Sequence, residues 1–312
     1  MVLQVVLLIL AIVMLYYGAE FALESAEKIG LALGLSPLVI GLLIVGFGTS
    51  LPEFFVSQLA SYRGEPGIAL GNIVGSNIAN LFLILGVSGL MGRLFISGQE
   101  IKKQLLLHLA LTAILAIVLL QDQVYWWGSA LLIGFMAFYL WDTFASMKKD
   151  RAHLGDQKQP QSQEEKIGPK EIIHLFAGFA LLYGGGELLV KSGTAVALEF
   201  GISSYVISAI FVAFGTSFPE LVTAIMTSRK GKNSDIITGN IIGSNIFNAA
   251  FVLGSLAFYK IKIAENFIPE MSALIFAALF LLALCFAKRS FYRIAGAVFL
   301  SCYIAMVLYW VR

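Results

Sequence analysis

The sequence predicts an all-α polytopic membrane protein of ten transmembrane helices, arranged as two inverted five-helix repeats. Three observations predict this class: an apolar composition, ten apolar stretches of bilayer length, and a pair of motifs that occurs twice. Hydrophobic residues make up 59 % of the 312 residues and charged residues 13 %, whereas a soluble domain has roughly 45–50 % and about 25 %. This composition excludes a soluble enzyme, a nucleic-acid-binding protein and a disordered chain. The net charge of +2 gives no reason to expect acidic partners.

Ten apolar stretches are long enough to cross a bilayer core, which takes about 20 residues of helix. The first stretch has no basic segment ahead of it and no small-residue cleavage site before the second, so we expect a retained helix and not a signal peptide. The predicted spans are approximately 2–23, 36–60, 67–90, 104–121, 124–147, 171–196, 203–228, 235–258, 268–287 and 291–311.

One long polar segment divides the chain into three parts. Residues 148–170 are rich in Lys, Glu and Gln and contain too few apolar residues to form a buried domain. We therefore expect a first transmembrane repeat at 1–147, a flexible cytoplasmic linker at 148–170, and a second, inverted repeat at 171–312.

The distribution of Lys and Arg predicts the orientation of the chain, because cytoplasmic loops carry an excess of these residues. With the N-terminus outside, 16 of the 21 Lys and Arg residues fall in cytoplasmic loops or helix ends, and five fall outside. We therefore expect an integral multi-pass protein of the cell membrane with both termini extracellular or periplasmic.

The two halves are related in sequence. Residues 46–53 read GFGTSLPE and residues 213–220 read AFGTSFPE, an offset of 167. Residues 71–86 read GNIVGSNIANLFLILG and residues 239–254 read GNIIGSNIFNAAFVLG, with ten of sixteen positions identical and an offset of 168. Five spans per repeat is an odd number, so the second repeat is inverted in the membrane. Inverted repeats are typical of secondary transporters, with the binding site at the midplane where the repeats meet.

Two acidic residues, Glu53 and Glu220, lie mid-span at equivalent positions of the repeats. An acidic side chain at the bilayer centre costs about 2.5–3.5 kcal/mol on insertion scales. The sequence offers no mid-span Lys or Arg as a partner, which leaves a bound cation or a proton. The alternative interpretation is that both side chains are protonated and form structural hydrogen bonds.

Oxygen-bearing side chains recur around both glutamates at helical spacing. A threonine lies four residues before each glutamate, and the next repeated motif carries a serine and an asparagine at i, i+4, which places them on one helix face. Hard oxygen ligands suit Ca²⁺ and Na⁺ and argue against Zn²⁺ or Cu⁺. For the hydroxyls, hydrogen bonding between helices is an equal alternative. The predicted metal-binding residues are Glu53, Glu220, Thr49, Thr216, Ser50, Ser217, Ser76, Ser244, Asn80 and Asn248.

A proline precedes each glutamate, at Pro52 and Pro219. Proline has no N–H group, so the carbonyl four residues earlier, at Gly48 or Gly215, loses its helical partner. Irregular backbone at membrane depth is tolerated only where it is buried in protein or lines a cavity. We therefore predict a broken helix beside each glutamate, with carbonyls free to bind a cation.

Other residues of the repeats receive structural interpretations. Two G-x-x-x-G pairs, formed by Gly71, Gly75, Gly239 and Gly243, predict close helix packing. Asn77 and Asn245 point to a different face and are expected to hold backbone or helix contacts. His108 is interpreted as a surface group near the membrane interface.

The motif pairs GTSLPE with GNIVGSNIAN and GTSFPE with GNIIGSNIFN resemble the two alpha-repeats of the sodium/calcium exchangers, within the Ca²⁺:cation antiporter superfamily. The resemblance covers essentially the whole chain, and the short linker is similar to that of prokaryotic members. It implies electrogenic exchange of several Na⁺ for one Ca²⁺, with these ions as transported substrates and no prosthetic group. It also implies a mechanism in which the first and sixth helices slide across a static core.

The resemblance assigns roles to individual residues. It implies a Ca²⁺ site made by Glu53, Glu220, Thr49 and Thr216, and flanking Na⁺ ligands at Ser50, Ser217, Ser76 and Ser244. It places Asn80 and Asn248 at the middle position. Some members, including K⁺-dependent exchangers, carry Asp where this chain has Asn248, which argues against K⁺ cotransport here.

The sequence leaves two transport functions open. Na⁺/Ca²⁺ antiport is favoured by the neutral asparagines and the many hydroxyls, and Ca²⁺/H⁺ antiport on the same fold would use the same glutamates as titrating groups. An ion channel and an intramembrane protease are disfavoured, because the chain has no filter motif and no H-E-x-x-H. We expect the lipid bilayer and the ions as partners, with no nucleic acid and no obligate protein partner.

Overall fold

The computed structural model describes residues 2–64, 66–94, 98–154, 168–199, 213–229 and 234–310. These residues are helical apart from short loops and two isolated backbone bridges. In chain order the helices are α1 (Val2–Ala32), α2 (Pro37–Tyr62), α3 (Pro66–Met91), α4 (Gln99–Leu119), α5 (Trp126–Leu154), α6 (Pro169–Glu199), α7 (Phe218–Arg229, preceded by a helical turn at Ala213–Thr216), α8 (Ser234–Phe258), α9 (Ile268–Phe286) and α10 (Arg293–Trp310).

Within the described ranges, eight helices are long and apolar enough to cross a membrane, namely α1 to α5 and α8 to α10. The chain is therefore an all-α polytopic membrane protein. The predicted span at 203–228 is described only from Ala213 onward, and residues 203–212 lie outside the described part of the chain.

Within the described residues, the predicted helix limits agree with the structure to within three residues except at α1, α4 and α5, and α4 begins at Gln99 and not near residue 104. Helix α1 ends at Ala32 and not near residue 23, and α5 continues to Leu154, seven residues into the predicted linker. The reason is that Glu, Lys and Ala favour the helical state, so a helix can extend into water after the apolar stretch has ended. The linker residues 155–167 lie outside the described ranges.

Helices α3 and α8 form the centre of the molecule. In the 18-residue apolar segments of these two helices, 83 % and 78 % of the residues are buried inside the protein, against 11 % in α10. The two central helices hold each other at one point by a reciprocal pair of hydrogen bonds. Asn77 Nδ2 donates to the Asn245 carbonyl at 3.4 Å, and Asn245 Nδ2 donates to the Asn77 carbonyl at 3.3 Å. The expected helix contacts of these two asparagines are thereby confirmed.

Helix α8 also approaches the backbone of α2 closely. A Cβ atom built at Gly243 would lie 2.8 Å from Leu42 Cα, and one at Gly239 would lie 3.0 Å from Leu42 N. Only glycine fits at these two positions without a shift of one backbone. Close packing at the second G-x-x-x-G pair is therefore confirmed, and it places Ser244 beside α2. At Gly71 of the first pair the prediction is wrong, because a Cβ there would meet no atom within 4 Å among the described residues.

Helices α1 and α6 pack against each other along their length through small residues. A Cβ at Gly18 would lie 2.8 Å from Leu182 N, and one at Gly178 would lie 2.9 Å from Ala22 Cα. Phe21 stacks on His174 with ring centroids 5.1 Å apart. The two helices therefore form a tightly packed pair.

Two backbone bridges join loops of the first half to loops of the second. Leu94 and Phe291 exchange both of their N–H···O hydrogen bonds, each 2.9 Å long. A second bridge joins Gln123 to Lys262, where Val124 N donates to the Ile261 carbonyl at 2.9 Å. The α3–α4 loop therefore lies against the α9–α10 loop, and the α4–α5 loop against the α8–α9 loop.

Candidate cation site

Both proline-containing helices are interrupted next to a glutamate. In α2 a helical turn at Gly46–Thr49 ends at Ser50, whose φ of −89° and ψ of 6° are not helical, and a new helix begins at Leu51. In the second half, a turn at Ala213–Thr216 is followed by Ser217 and then by α7. The predicted broken helices are confirmed. Proline fits the first turn of the new helix, where its missing N–H has no helical partner to lose.

One asparagine of each central helix lies in a π-helical segment, which the sequence pattern did not predict. Residues Ala79–Ile84 of α3 and Phe247–Val252 of α8 have the wider π geometry, and they contain Asn80 and Asn248. Such segments occur often at functional sites. Hydrophobic periodicity averages over several turns, so a single widened turn leaves no clear mark in the sequence.

The two buried glutamates accept hydrogen bonds across the two halves of the chain. Ser50 Oγ donates to Glu220 Oε1 at 3.1 Å, and Ser217 Oγ donates to Glu53 Oε1 at 3.4 Å. Each serine lies three residues before the glutamate of its own half but binds the glutamate of the other half. This crossed pairing brings both carboxyl groups into one cluster. Both glutamates are fully buried.

Two asparagines outside the predicted set accept hydrogen bonds from the two threonines of the site. Thr216 Oγ1 donates to Asn72 Oδ1 at 3.0 Å, and Thr49 Oγ1 reaches Asn240 Oδ1 at 3.3 Å as well as the Val45 carbonyl at 3.0 Å. Asn72 Nδ2 in turn donates to the backbone carbonyl of a site glutamate, Glu53, at 3.0 Å. A signal was present, since Asn72 and Asn240 occupy the same position of the repeated G-N-I motif.

The serines of the central helices complete the ring of hydroxyl groups. Ser76 Oγ lies 3.2 Å from Thr216 Oγ1, and because the Thr216 proton points to Asn72, Ser76 is the donor. Ser244 Oγ lies 3.2 Å from the Gly46 carbonyl and 3.4 Å from Glu220 Oε1. The hydroxyl groups therefore direct their protons within the cluster and leave lone pairs for another partner.

Asn80 and Asn248 are both fully buried but differ in their contacts. Asn80 Nδ2 donates to Asn245 Oδ1 at 3.0 Å. Neither Oδ1 nor Nδ2 of Asn248 has a hydrogen-bond partner among the described residues. Eight of the ten predicted residues thus have hydrogen bonds within the cluster around the two glutamates, whereas Asn80 contacts Asn245 and Asn248 lies one helical turn after Ser244 without a hydrogen bond.

The interpretation of His108 as a surface group is wrong. His108 lies in the middle of α4 with 3 % of its surface exposed, and its Nε2 is 3.4 Å from Asn245 Nδ2. The reason is that α4 begins at Gln99, earlier than predicted, which places His108 well inside the span.

The centre of the cluster is rich in oxygen atoms that lack a donor. Among the predicted metal-binding residues, four have a buried oxygen without a hydrogen-bond partner within the described ranges, namely Glu53 Oε2, Glu220 Oε2, Asn80 Oδ1 and Asn248 Oδ1. A buried acceptor without a partner costs about 1–3 kcal/mol. The described residues hold no group of three or more His, Cys, Asp or Glu. This donor set is the kind that a hard cation such as Ca²⁺ or Na⁺ requires.

The apolar helices and the buried polar centre define a membrane transport protein. The chain belongs to the sodium/calcium exchanger family, because the family described as sodium/calcium exchanger protein matches residues 3–144 and 170–312. It is an antiporter of Ca²⁺ against another cation and not an enzyme. Its substrates are the transported ions, and the family uses no prosthetic group.

Individual relatives agree with this membership. The sodium/calcium exchanger MaX1 of Methanosarcina acetivorans is 29 % identical over 342 residues, covering 97 % of each chain. The Ca(2+)/H(+) antiporter ChaA of Bacillus subtilis is 27 % identical over 311 residues, covering 93 % of this chain and 87 % of its own. The solved structure of the sodium-calcium exchanger NCX_Mj, soaked with Na⁺ and Sr²⁺, superposes with a TM-score of 0.84 at 29 % identity. It covers 99 % of this chain and 98 % of its own.

Proposed function

We propose that this protein exchanges Na⁺ for Ca²⁺ across the cell membrane by alternating access, and that the exchange is electrogenic. The observation that carries the proposal is the pair of buried glutamates, each with one unpaired oxygen and one oxygen bound by a serine of the other half. The choice of Na⁺ as the coupling ion is supported by the similarity to MaX1 and NCX_Mj, both of which are named as exchangers of sodium and calcium.

The charge of the site supports exchange between the two ions. Two carboxylates carry a charge of −2, which balances one Ca²⁺ or two Na⁺, and neutral oxygens can hold a further Na⁺. Ca²⁺ takes about six to eight oxygen ligands. We assign Glu53, Glu220, Thr49 and Thr216 to the Ca²⁺ position. The Na⁺ positions then use Ser50, Ser217, Ser76 and Ser244, with Asn80 and Asn248 between. Because both sets of positions depend on the same two carboxylates for charge balance, Ca²⁺ and the full set of Na⁺ ions cannot be bound together.

We further propose the predicted inverted architecture: residues 1–147 and 171–312 as five-helix repeats joined by a cytoplasmic linker at 148–170. The two loop bridges support it. The repeat offset of 168 maps Leu94 onto Lys262 and Gln123 onto Phe291, so each bridge maps onto the other with its partners exchanged. Such reciprocal pairing is what two copies of one module related by a two-fold axis produce.

The same bridges support ten crossings with both termini outside. Loops that share backbone hydrogen bonds lie on one side of the membrane, so an even number of spans separates them. Four of the eight long apolar helices lie between Leu94 and Phe291, so α6 and α7 must either both cross or both not cross. Lys and Arg cluster near the first bridge, at Arg93, Lys288 and Arg289, which supports a cytoplasmic position for it.

Cysteine labelling tests this orientation. After Cys285 and Cys302 are replaced by alanine, a single cysteine is placed at the exposed position Lys260 or at the exposed position Arg289. In intact cells, a membrane-impermeant maleimide should label Lys260→Cys and should not label Arg289→Cys until the membrane is opened. The reverse pattern would contradict the proposed orientation.

The coupling ion is tested by ⁴⁵Ca²⁺ uptake into proteoliposomes at clamped voltage. We expect uptake when Na⁺ is more concentrated inside the vesicles than outside, at constant pH. With no Na⁺ present, a higher H⁺ concentration inside than outside should produce no uptake above the leak. The second candidate, Ca²⁺/H⁺ antiport, is favoured by the similarity to ChaA. Uptake that follows the pH gradient and ignores Na⁺ would establish that candidate and reject ours. A third arm with no gradient measures the leak.

A further inference from the structure

Three buried side chains in contact with one another lead from α4 to the candidate cation site. His108 Nε2 lies 3.4 Å from Asn245 Nδ2, and Asn245 Oδ1 accepts from Asn80 Nδ2 at 3.0 Å. All three residues are at most 3 % exposed. His108 has no role in the transport chemistry proposed above.

The hydrogen-bond partners of Asn245 determine which atoms of these three side chains donate and which accept. Asn245 also contacts the Asn77 carbonyl at 3.3 Å, and a carbonyl can only accept, so the atom that faces it must be Nδ2. The two protons of that nitrogen are then shared between the Asn77 carbonyl and His108. His108 Nε2 must therefore be the acceptor, which requires a neutral ring with its proton on Nδ1.

The direction of Asn245 then determines the direction of Asn80. Asn245 presents Oδ1 to α3, so Asn80 must present Nδ2 to Asn245. The remaining atom of the Asn80 amide is Oδ1, which is buried and has no partner among the described residues. If the Asn245 amide were flipped, it would present Nδ2 to Asn80, and the Asn80 amide would have to flip as well. Asn80 would then present its N–H group to the site, and an N–H donor repels a cation.

The second half of the molecule lacks this arrangement. The repeat offset of 168 pairs His108 with Phe276, whose side chain is 49 % exposed and therefore does not face the central helices as the buried His108 does. The counterpart of Asn80 is Asn248, whose amide atoms have no partner within the described residues. The two asparagines are equivalent in sequence, but hydrogen bonds orient only Asn80.

We propose that His108 is a positioning residue that, together with the Asn77 carbonyl, holds Asn245 and thereby orients Asn80 as a cation ligand. The proposal rests on the function proposed above, since it takes Asn80 to bind a transported ion. It assigns to the protein one pre-oriented amide ligand, Asn80, and one adaptable amide ligand, Asn248.

Transport kinetics of three variants test the proposal. His108→Phe keeps a planar ring and removes the acceptor, and we expect the KM for Ca²⁺ to rise about three- to tenfold, the equivalent of one hydrogen bond. His108→Gln places an amide oxygen near the position of Nε2 and should restore the KM to within twofold of the wild type. Leu115→Ala, at another buried position of α4, should lower thermal stability and leave the KM unchanged. A KM in His108→Phe equal to the wild-type value would overturn the proposal.

The tautomer of His108 gives a readout that does not depend on transport. In ¹⁵N-histidine-labelled protein without added Ca²⁺, the His108 signal should show a protonated Nδ1 and an unprotonated Nε2. His153 and His174 are the only other histidines, so His108→Gln assigns the signal by its loss. A protonated Nε2 would overturn the proposal.

If the wild type transports no Ca²⁺ at all, the proposed function fails, and the ligand role of Asn80 fails with it. Wild-type flux together with an unaffected His108→Phe variant rejects only the role of His108.

Discussion

Replacing Glu53 or Glu220 by glutamine is expected to reduce Ca²⁺ exchange by more than about 100-fold while the protein still inserts into the membrane. Each substitution keeps the size of the side chain and removes one negative charge. The site then carries −1 against the +2 of Ca²⁺, and the loss of one partner of a buried charge pair costs about 3–5 kcal/mol. At about 1.4 kcal/mol per factor of ten, this range corresponds to a loss of two to three orders of magnitude or more.

The chain offers a matched control for this experiment. Glu270, in the first turn of α9, is also a buried glutamate, and its Oε1 accepts a hydrogen bond from Trp310 Nε1 at 2.7 Å. Glu270→Gln keeps an acceptor at that place and lies outside the candidate site, so transport should remain near the wild-type rate. Gradient-driven ⁴⁵Ca²⁺ flux per mole of reconstituted protein is the measurement. Full flux in both Glu53→Gln and Glu220→Gln would refute the assignment of the site.

Much of this architecture could be predicted from the sequence because the membrane simplifies the problem. A span must be apolar for about 20 residues, so spans can be read from composition. An acidic residue within a span is expensive, which made Glu53 and Glu220 stand out. The repeat then doubled each observation, because a feature that occurs at equivalent positions in both halves is far less often accidental than one that occurs once.

The features that the sequence did not reveal depend on contacts between distant helices. His108 was misplaced because its burial depends on where α4 begins, nine residues earlier in the chain, at Gln99. Asn72 and Asn240 belong to the repeated motif, but their hydrogen bonds to Thr216 and Thr49 join residues 144 and 191 positions apart, which no local pattern reveals. Residues that orient ligands have no composition signal of their own.

The sequence also does not predict that the two halves differ in the hydrogen bonding of their equivalent asparagines. Asn80 and Asn248 occupy equivalent motif positions, and only the hydrogen bonds around them separate an oriented amide from one without partners among the described residues. Equivalent motif positions therefore do not imply equivalent hydrogen-bond environments.

Gly243→Ala is expected to destabilise the protein by about 1–3 kcal/mol and to raise the KM for Ca²⁺. An added Cβ would lie 2.8 Å from Leu42 Cα and 2.9 Å from the Leu42 carbonyl carbon, both backbone atoms that no side-chain rotation can move. Helices α2 and α8 must therefore separate, and overpacking of this kind costs about 1–3 kcal/mol. Ser244 is the next residue, and its hydroxyl lies between the Gly46 carbonyl on α2 and Glu220. A separation large enough to admit a methyl group would thus also widen the ring of oxygens around the glutamates.

Gly134→Ala provides the comparison, because a Cβ at Gly134 of α5 would meet no atom within 4 Å in the described part of the chain. Alanine favours helix over glycine, so this variant should unfold at the wild-type temperature or slightly above. Thermal unfolding in detergent and the KM for Ca²⁺ in proteoliposomes separate the two effects of Gly243→Ala. If Gly243→Ala unfolded together with Gly134→Ala and kept the wild-type KM, then the close approach of α2 and α8 would not support the site. The position of Ser244 would have to be maintained by α7 alone.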